Sequence, residues 1–167
     1  MLSGSVLKRC WPAVLWMTLI FVGSTDLLSS GHTSGFLGPF FRWLVPAISD
    51  VTVDRLQFVI RKCGHATEYG ILASLVWMAL NAGSLGTVRP WPQRLAVWSW
   101  IWTTLYAASD EWHQSFVPTR QGQVSDVVID SLGALLGLFL VWAMGKIRRR
   151  WLADDAAAPA ELQMNPR

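Results

Sequence analysis

Apolar residues fall in blocks along this chain instead of recurring once per turn as they do on a water-facing helix. Trp11 to Val22 and Leu132 to Met144 contain no charged side chain, the pattern of a helix whose solvent is lipid. Four such blocks predict four spans, at about Trp11 to Leu28, Phe58 to Ala82, Leu95 to Trp112 and Val127 to Gly145. The first covers roughly 27 Å at 1.5 Å per residue, enough to cross the hydrocarbon. Between the first two blocks lies the segment Ser29 to Gln57. Its middle, Pro39-Phe-Phe-Arg-Trp-Leu-Val-Pro46, is aromatic but too short to span. That predicts a helix lying in the membrane interface, with a loop packed over the bundle as the alternative. The expected fold is therefore all-α, a membrane bundle of four transmembrane helices over residues 11–145. Residues 1–10 form a cytoplasmic N-terminus, and residues 146–167 a basic stop followed by an Ala-, Asp- and Pro-rich tail that reads as disordered.

Composition agrees: 52% of the 167 residues are hydrophobic and 15% charged, too apolar for a disordered chain and of a length for one domain. The net charge of +3 matters less than its placement. Lys8 and Arg9 precede the first block, Arg89 and Arg94 lie between the second and third, and Lys146, Arg148, Arg149 and Arg150 follow the fourth. By the positive-inside rule both termini and the middle loop face the cytoplasm, giving a multi-pass protein of the cell (inner) membrane. Eight of the eleven acids, from Asp26 to Asp130, fall on or near the opposite side. The basic residues are thus topology signals, and no clustered basic face suggests nucleic acid. Cys10 and Cys63 would sit at opposite membrane faces, which excludes a disulfide between them. Lys8-Arg9, the apolar run and Val22-Gly23-Ser24 also mimic a signal peptide, an alternative that would leave three helices. Trp11, Trp43, Trp91, Trp112 and Trp151 lie near span ends, as an aromatic belt would.

The chemistry lies in polar residues that interrupt the blocks. On the second helix Arg61, His65 and Glu68 share a face with Lys62 and Tyr69. The third helix has only fourteen uncharged residues from Leu95 to Ala108 before Ser109 leads into Asp110 and Glu111, with His113 one turn beyond Asp110. On the fourth, Asp126 and Asp130 are one turn apart and continue into Gly133-Ala-Leu-Leu-Gly137, a small-xxx-small pattern that permits close helix contact. With alternating topology all three groups reach the outer side. A charge in hydrocarbon costs at least about 2.5 to 3.5 kcal/mol, so these groups are expected to face one another. Singly each has a plainer reading: His65 as a hydrogen-bonded core histidine, Arg61 and Lys62 as snorkelling cations, Asp126 as a helix cap.

Lys62-Cys-Gly-His65-Ala-Thr-Glu68-Tyr69, the run from Ser109-Asp-Glu-Trp-His-Gln through Val-Pro-Thr-Arg120-Gln-Gly-Gln-Val-Ser-Asp126, and Val-Val-Ile-Asp130-Ser-Leu-Gly together resemble the VanZ-like family over about Trp11 to Gly145. Thr119 stands where members commonly have glycine, and Ser24-Thr25-Asp26 lacks the proline often seen nearby. The resemblance implies a polytopic membrane protein whose namesake contributes to resistance against teicoplanin, a lipid-tailed glycopeptide. It maps Lys62, His65, Glu68, Tyr69, Asp110, Glu111, His113, Gln114, Arg120, Asp126 and Asp130, without assigning catalytic roles or a cofactor to them. Three functions follow. The first is an outer-face pocket for an envelope amphiphile, a lipid head group or lipid-tailed ligand or cell-wall precursor, with Arg120 and Lys62 as anion donors. The second is a membrane enzyme on a lipid head group, with His65, His113, Glu68, Glu111 and the aspartates as acid, base or ligands of a divalent metal. No HExxH, Gly-x-Ser-x-Gly or phosphate loop accompanies them. The third is a transporter, which four helices without a repeat would form only as an oligomer.

Overall fold

In the computed structural model, residues 4–25, 30–81, 91–118, 120 and 122–164 are described. Asp26, Arg89 and Thr119 lie outside them. The described residues form five helices and no strand: α1 Gly4–Gly23, α2 Ser30–Leu44, α3 Asp50–Leu80, α4 Gln93–Gln114 and α5 Val124–Met164. The expected all-α class holds, with shifted boundaries. α3 begins at Asp50, well before Phe58. Ser49 caps it by accepting from the Thr52 amide at 3.3 Å, and Asp50 in the first turn complements the helix dipole. The segment between the first two blocks is accordingly mostly helical. α2 makes a helix of the aromatic segment, with Phe36 and Trp43 strongly exposed, and it packs on α3.

α5 runs without a break through residues 152–164, where composition suggested disorder. Ala, Leu, Glu, Gln and Met are good helix formers, and extending an existing helix avoids the nucleation cost. Among the described residues one helical segment, Val124–Arg148, is long and apolar enough to cross a membrane. The polar residues of α3 and α4 dilute their apolar runs, so four complete crossings remain a reading of the sequence pattern.

α3 is the centre of the molecule, touching α5 most extensively and also α4, α1 and α2. Around its polar end Ile20, Tyr69, Leu72 and Ala107 form one buried cluster, and Ala73, Trp77, Ala134 and Leu138 form another further along. Trp91 stacks on Trp77 with ring centroids 4.4 Å apart. Trp16 donates to the Glu68 carbonyl at 2.9 Å and Tyr106 to the Met17 carbonyl at 2.6 Å, tying α1 to α3 and α4.

The α3–α5 contact has the close approach that the glycine pattern on α5 predicts. A Cβ on Gly133 would lie 2.2 Å from the Ala66 carbonyl oxygen, and one on Gly137 2.1 Å from that of Gly70. Ala66 and Gly70 give α3 the matching small face, so the two backbones meet directly. The outward faces carry exposed Trp98, Trp102, Leu105, Leu132, Leu136 and Phe139, a far larger apolar surface than water-soluble monomers present.

Candidate functional site

The backbone contact at Ala66 and Gly133 fixes what happens one turn towards the polar end. His65 on α3 and Asp130 on α5 are brought together there, with Nδ1 and Oδ1 3.4 Å apart. The distance is that of an ion pair, but neither atom has a hydrogen-bond partner, nor does the second oxygen of Asp130. Glu111 on α4 completes the group: one ligand atom each from His65, Glu111 and Asp130 lie within 4.8 Å of one another. Glu111 Oε2 accepts from the Gln123 amide at 2.8 Å, while Oε1 is buried and unpartnered. That clasp needs a tight loop between α4 and α5. A Cβ on Gly122 would stand 2.2 Å from the Glu111 carbonyl oxygen, so only glycine fits.

A second centre surrounds Asp110, which is 3% exposed. Its Oδ2 accepts from Ser24 Oγ at 2.7 Å, Tyr69 Oη at 3.1 Å and Gln114 Nε2 at 3.0 Å. α1, α3 and α4 are thereby joined through one carboxylate oxygen. At the rim, Lys62 pairs with Asp126, both largely buried. Asp126 therefore serves the α3–α5 contact and does not act merely as a cap. Arg120, in the α4–α5 link, donates to the Gly23 carbonyl at 2.7 Å and that of Thr25 at 3.3 Å. These are carbonyls that the end of α1 leaves open. Burial pushes the Arg120 pKa below its ordinary value, opposed by the nearby Asp110, Glu68 and Glu111 carboxylates.

Between these parts lies a cavity of about 210 Å³. Arg61, His65, Glu68, Gln114 and Arg120 supply its polar wall, with Leu37 of α2 and Ile60 beside them. Two larger hollows, of about 420 and 460 Å³, are mainly apolar and lie elsewhere, against Met17 and Trp102 and against Trp91 and Trp142.

The residues that the sequence singled out thus divide among several roles. His65, Glu68, Gln114 and Arg120 line the cavity; Glu111 and Asp130 group with His65; Tyr69 and Gln114 serve Asp110; Lys62 and Asp126 pair at the rim. His113 joins none of these sets. Its ring lies 4.5 Å from that of Phe21. Ser24, Gly122, the Gln123 amide and Leu37 were not anticipated. Ser24 and Leu37 depend on contacts between segments far apart in sequence, and Gly122 and Gln123 on the polar motif folding back onto Glu111.

A model of the family described as VanZ/LLP1 matches residues 10–145. The chain belongs to the VanZ/LLP1 family. No curated protein and no solved structure matches it. The VanZ/LLP1 match takes in every residue of the cavity and of both carboxylate centres, and it stops at Gly145, where the apolar part of α5 gives way to Lys146 and Arg148.

Proposed function

We propose that this VanZ/LLP1 protein spans the cell membrane with α1, α3, α4 and α5, keeps both termini inside, and uses its outer-face cavity to hold the anionic head group of an envelope amphiphile. The carrying observation is the cavity itself. It sets Arg61 and Arg120, with His65, Gln114 and the one acid Glu68, beside the apolar Leu37 and Ile60, so the basic side chains outnumber the acidic one. Next to it, α2 exposes Phe36, Phe40 and Trp43. Guanidinium groups favour phosphate or carboxylate, and the aromatic apron suits an acyl tail. At about 210 Å³ the cavity matches a phosphate with a few waters and is smaller than usual drug-sized sites, so only part of a glycopeptide would enter. Family membership supports a link to teicoplanin-type resistance. The apolar Val124–Arg148 segment and the distribution of Lys and Arg support the multi-pass arrangement.

Three measurements test this. A reporter fused after Arg89 should be inactive outside the cytoplasm, and activity there would overturn the arrangement. Cells carrying wild type should tolerate teicoplanin better than cells carrying Arg61→Gln at equal protein abundance. Purified wild type in nanodiscs should bind the acylated glycopeptide more tightly than its deacylated form. Equal sensitivity together with equal binding by the variant would remove the head-group reading. A membrane enzyme acting on the same head group is the second reading, favoured by the grouping of His65, Glu111 and Asp130.

A further inference from the structure

Asp130 is 0% exposed, yet both its carboxylate oxygens lack a hydrogen-bond partner, and so do Glu111 Oε1 and His65 Nδ1 close by. One oxygen of Glu111 is held by the Gln123 amide and Asp130 stands at ion-pair distance from His65, so the loss of hydration is compensated only in part, which folded proteins avoid unless something else supplies the rest. We propose that His65, Glu111 and Asp130 bind one divalent transition-metal ion.

The charge fits first: a neutral imidazole and two carboxylates carry two negative charges, which a divalent cation neutralises where water is excluded. The spacing fits next. Ligands on a tetrahedral ion with bonds of about 2.0 to 2.1 Å stand about 3.4 Å apart, and His65 Nδ1 and Asp130 Oδ1 are already 3.4 Å apart without the alignment of a hydrogen bond. Glu111 lies within the 4.8 Å bound of the group and needs only a side-chain adjustment to close on the ion. Its other oxygen is held by the Gln123 amide, the outer support that orients metal-ligating carboxylates. The donor set of one nitrogen and two oxygens suits zinc, iron or manganese better than calcium or magnesium, which prefer oxygen alone. His65 also lines the cavity, while Glu111 and Asp130 lie behind it. The metal site does not depend on the head-group reading, because metal content is measured without any amphiphile.

The test uses the full chain in detergent, with no histidine tag and with Cys10 and Cys63 changed to Ser to remove the two free thiols. After chelator treatment and reloading with zinc or manganese, mass spectrometry of the metal should give about one ion per chain. Asp130→Asn and His65→Ala should each weaken binding roughly tenfold or more, while His113→Phe leaves it unchanged. Should those two variants fail to fold, copper-loaded wild type still decides: its electron-spin-echo spectrum should carry the modulation of an imidazole nitrogen. A content far below one ion, binding unchanged in both ligand variants, or a copper spectrum without nitrogen coupling would overturn the site and leave His65 and Asp130 as a plain structural pair.

Discussion

Asp110 and Asp130 are buried acids at the same end of one bundle, yet their partners differ. Asp110 takes three side-chain donors on one oxygen, from Ser24 at the end of α1, from α3 and from α4, and its other oxygen is buried without a hydrogen-bond partner among the described residues. Asp130 has a histidine at 3.4 Å, an ion-pair distance, and no well-aligned hydrogen bond among the described residues. A carboxylate with its donors in place holds helices together, whereas one without them is available to a ligand. Burial and charge alone do not separate a staple from a site; the partners do.

The sharpest way to break this contrast is to remove each acid in turn. Asp110→Ala leaves Ser24, Tyr69 and Gln114 without their acceptor and should cost about 3 to 5 kcal/mol, read by unfolding in mixed micelles. Asp130→Asn removes no hydrogen bond and, in chelated protein, should change stability by less than about 1 kcal/mol or raise it. Equal losses would erase the distinction between the two acids. Next in size is Gly137→Ala, whose methyl group would press on the Gly70 carbonyl. It should cost about 1 to 3 kcal/mol as the helices part and should weaken metal binding by moving Asp130 away from His65. Normal stability would mean that α3 and α5 have slack at their crossing.

A smaller effect is expected at the rim. Lys62→Met alone should lose about 1 to 3 kcal/mol by leaving Asp126 unpaired in a largely buried position, and adding Asp126→Leu should restore most of it. If the double change is no better than the single one, the pair does more than hold the rim. The smallest effect belongs to Arg42 and Asp50, an exposed pair at 2.7 Å. Arg42→Ala should shift stability by at most about 0.5 kcal/mol, which makes it the control for simple loss of charge.

The sequence made some of this geometry legible. Asp126, Asp130, Gly133 and Gly137 recur along one face of α5, and that face is where the ion pair, the His65 contact and the backbone contact lie. Spacing was less reliable at the end of α4. His113 is three residues after Asp110 and was grouped with it, but Gln114, four residues on, makes the bond. Both positions lie near Asp110 on a helical wheel, and only the packing of Phe21 on His113 separates them. The start of α3 was missed because Asp50, Asp54 and Arg55 look like loop residues when a span is sought, although charged residues are at home on an exposed helical end. Ser24 carried no signal, since its partner Asp110 is 86 residues away.

At the crossing of α3 and α5 no side chain intervenes between Gly133 and Ala66, or between Gly137 and Gly70. The gap between His65 and Asp130 is therefore gauged by two main chains in contact, and no rotamer change can widen it. The other flank is built differently. There α1, α4 and the α4–α5 link are held by side-chain hydrogen bonds at Ser24, Gln114 and Arg120, which can be broken and remade. One wall is an anvil, and all the give is on the opposite side.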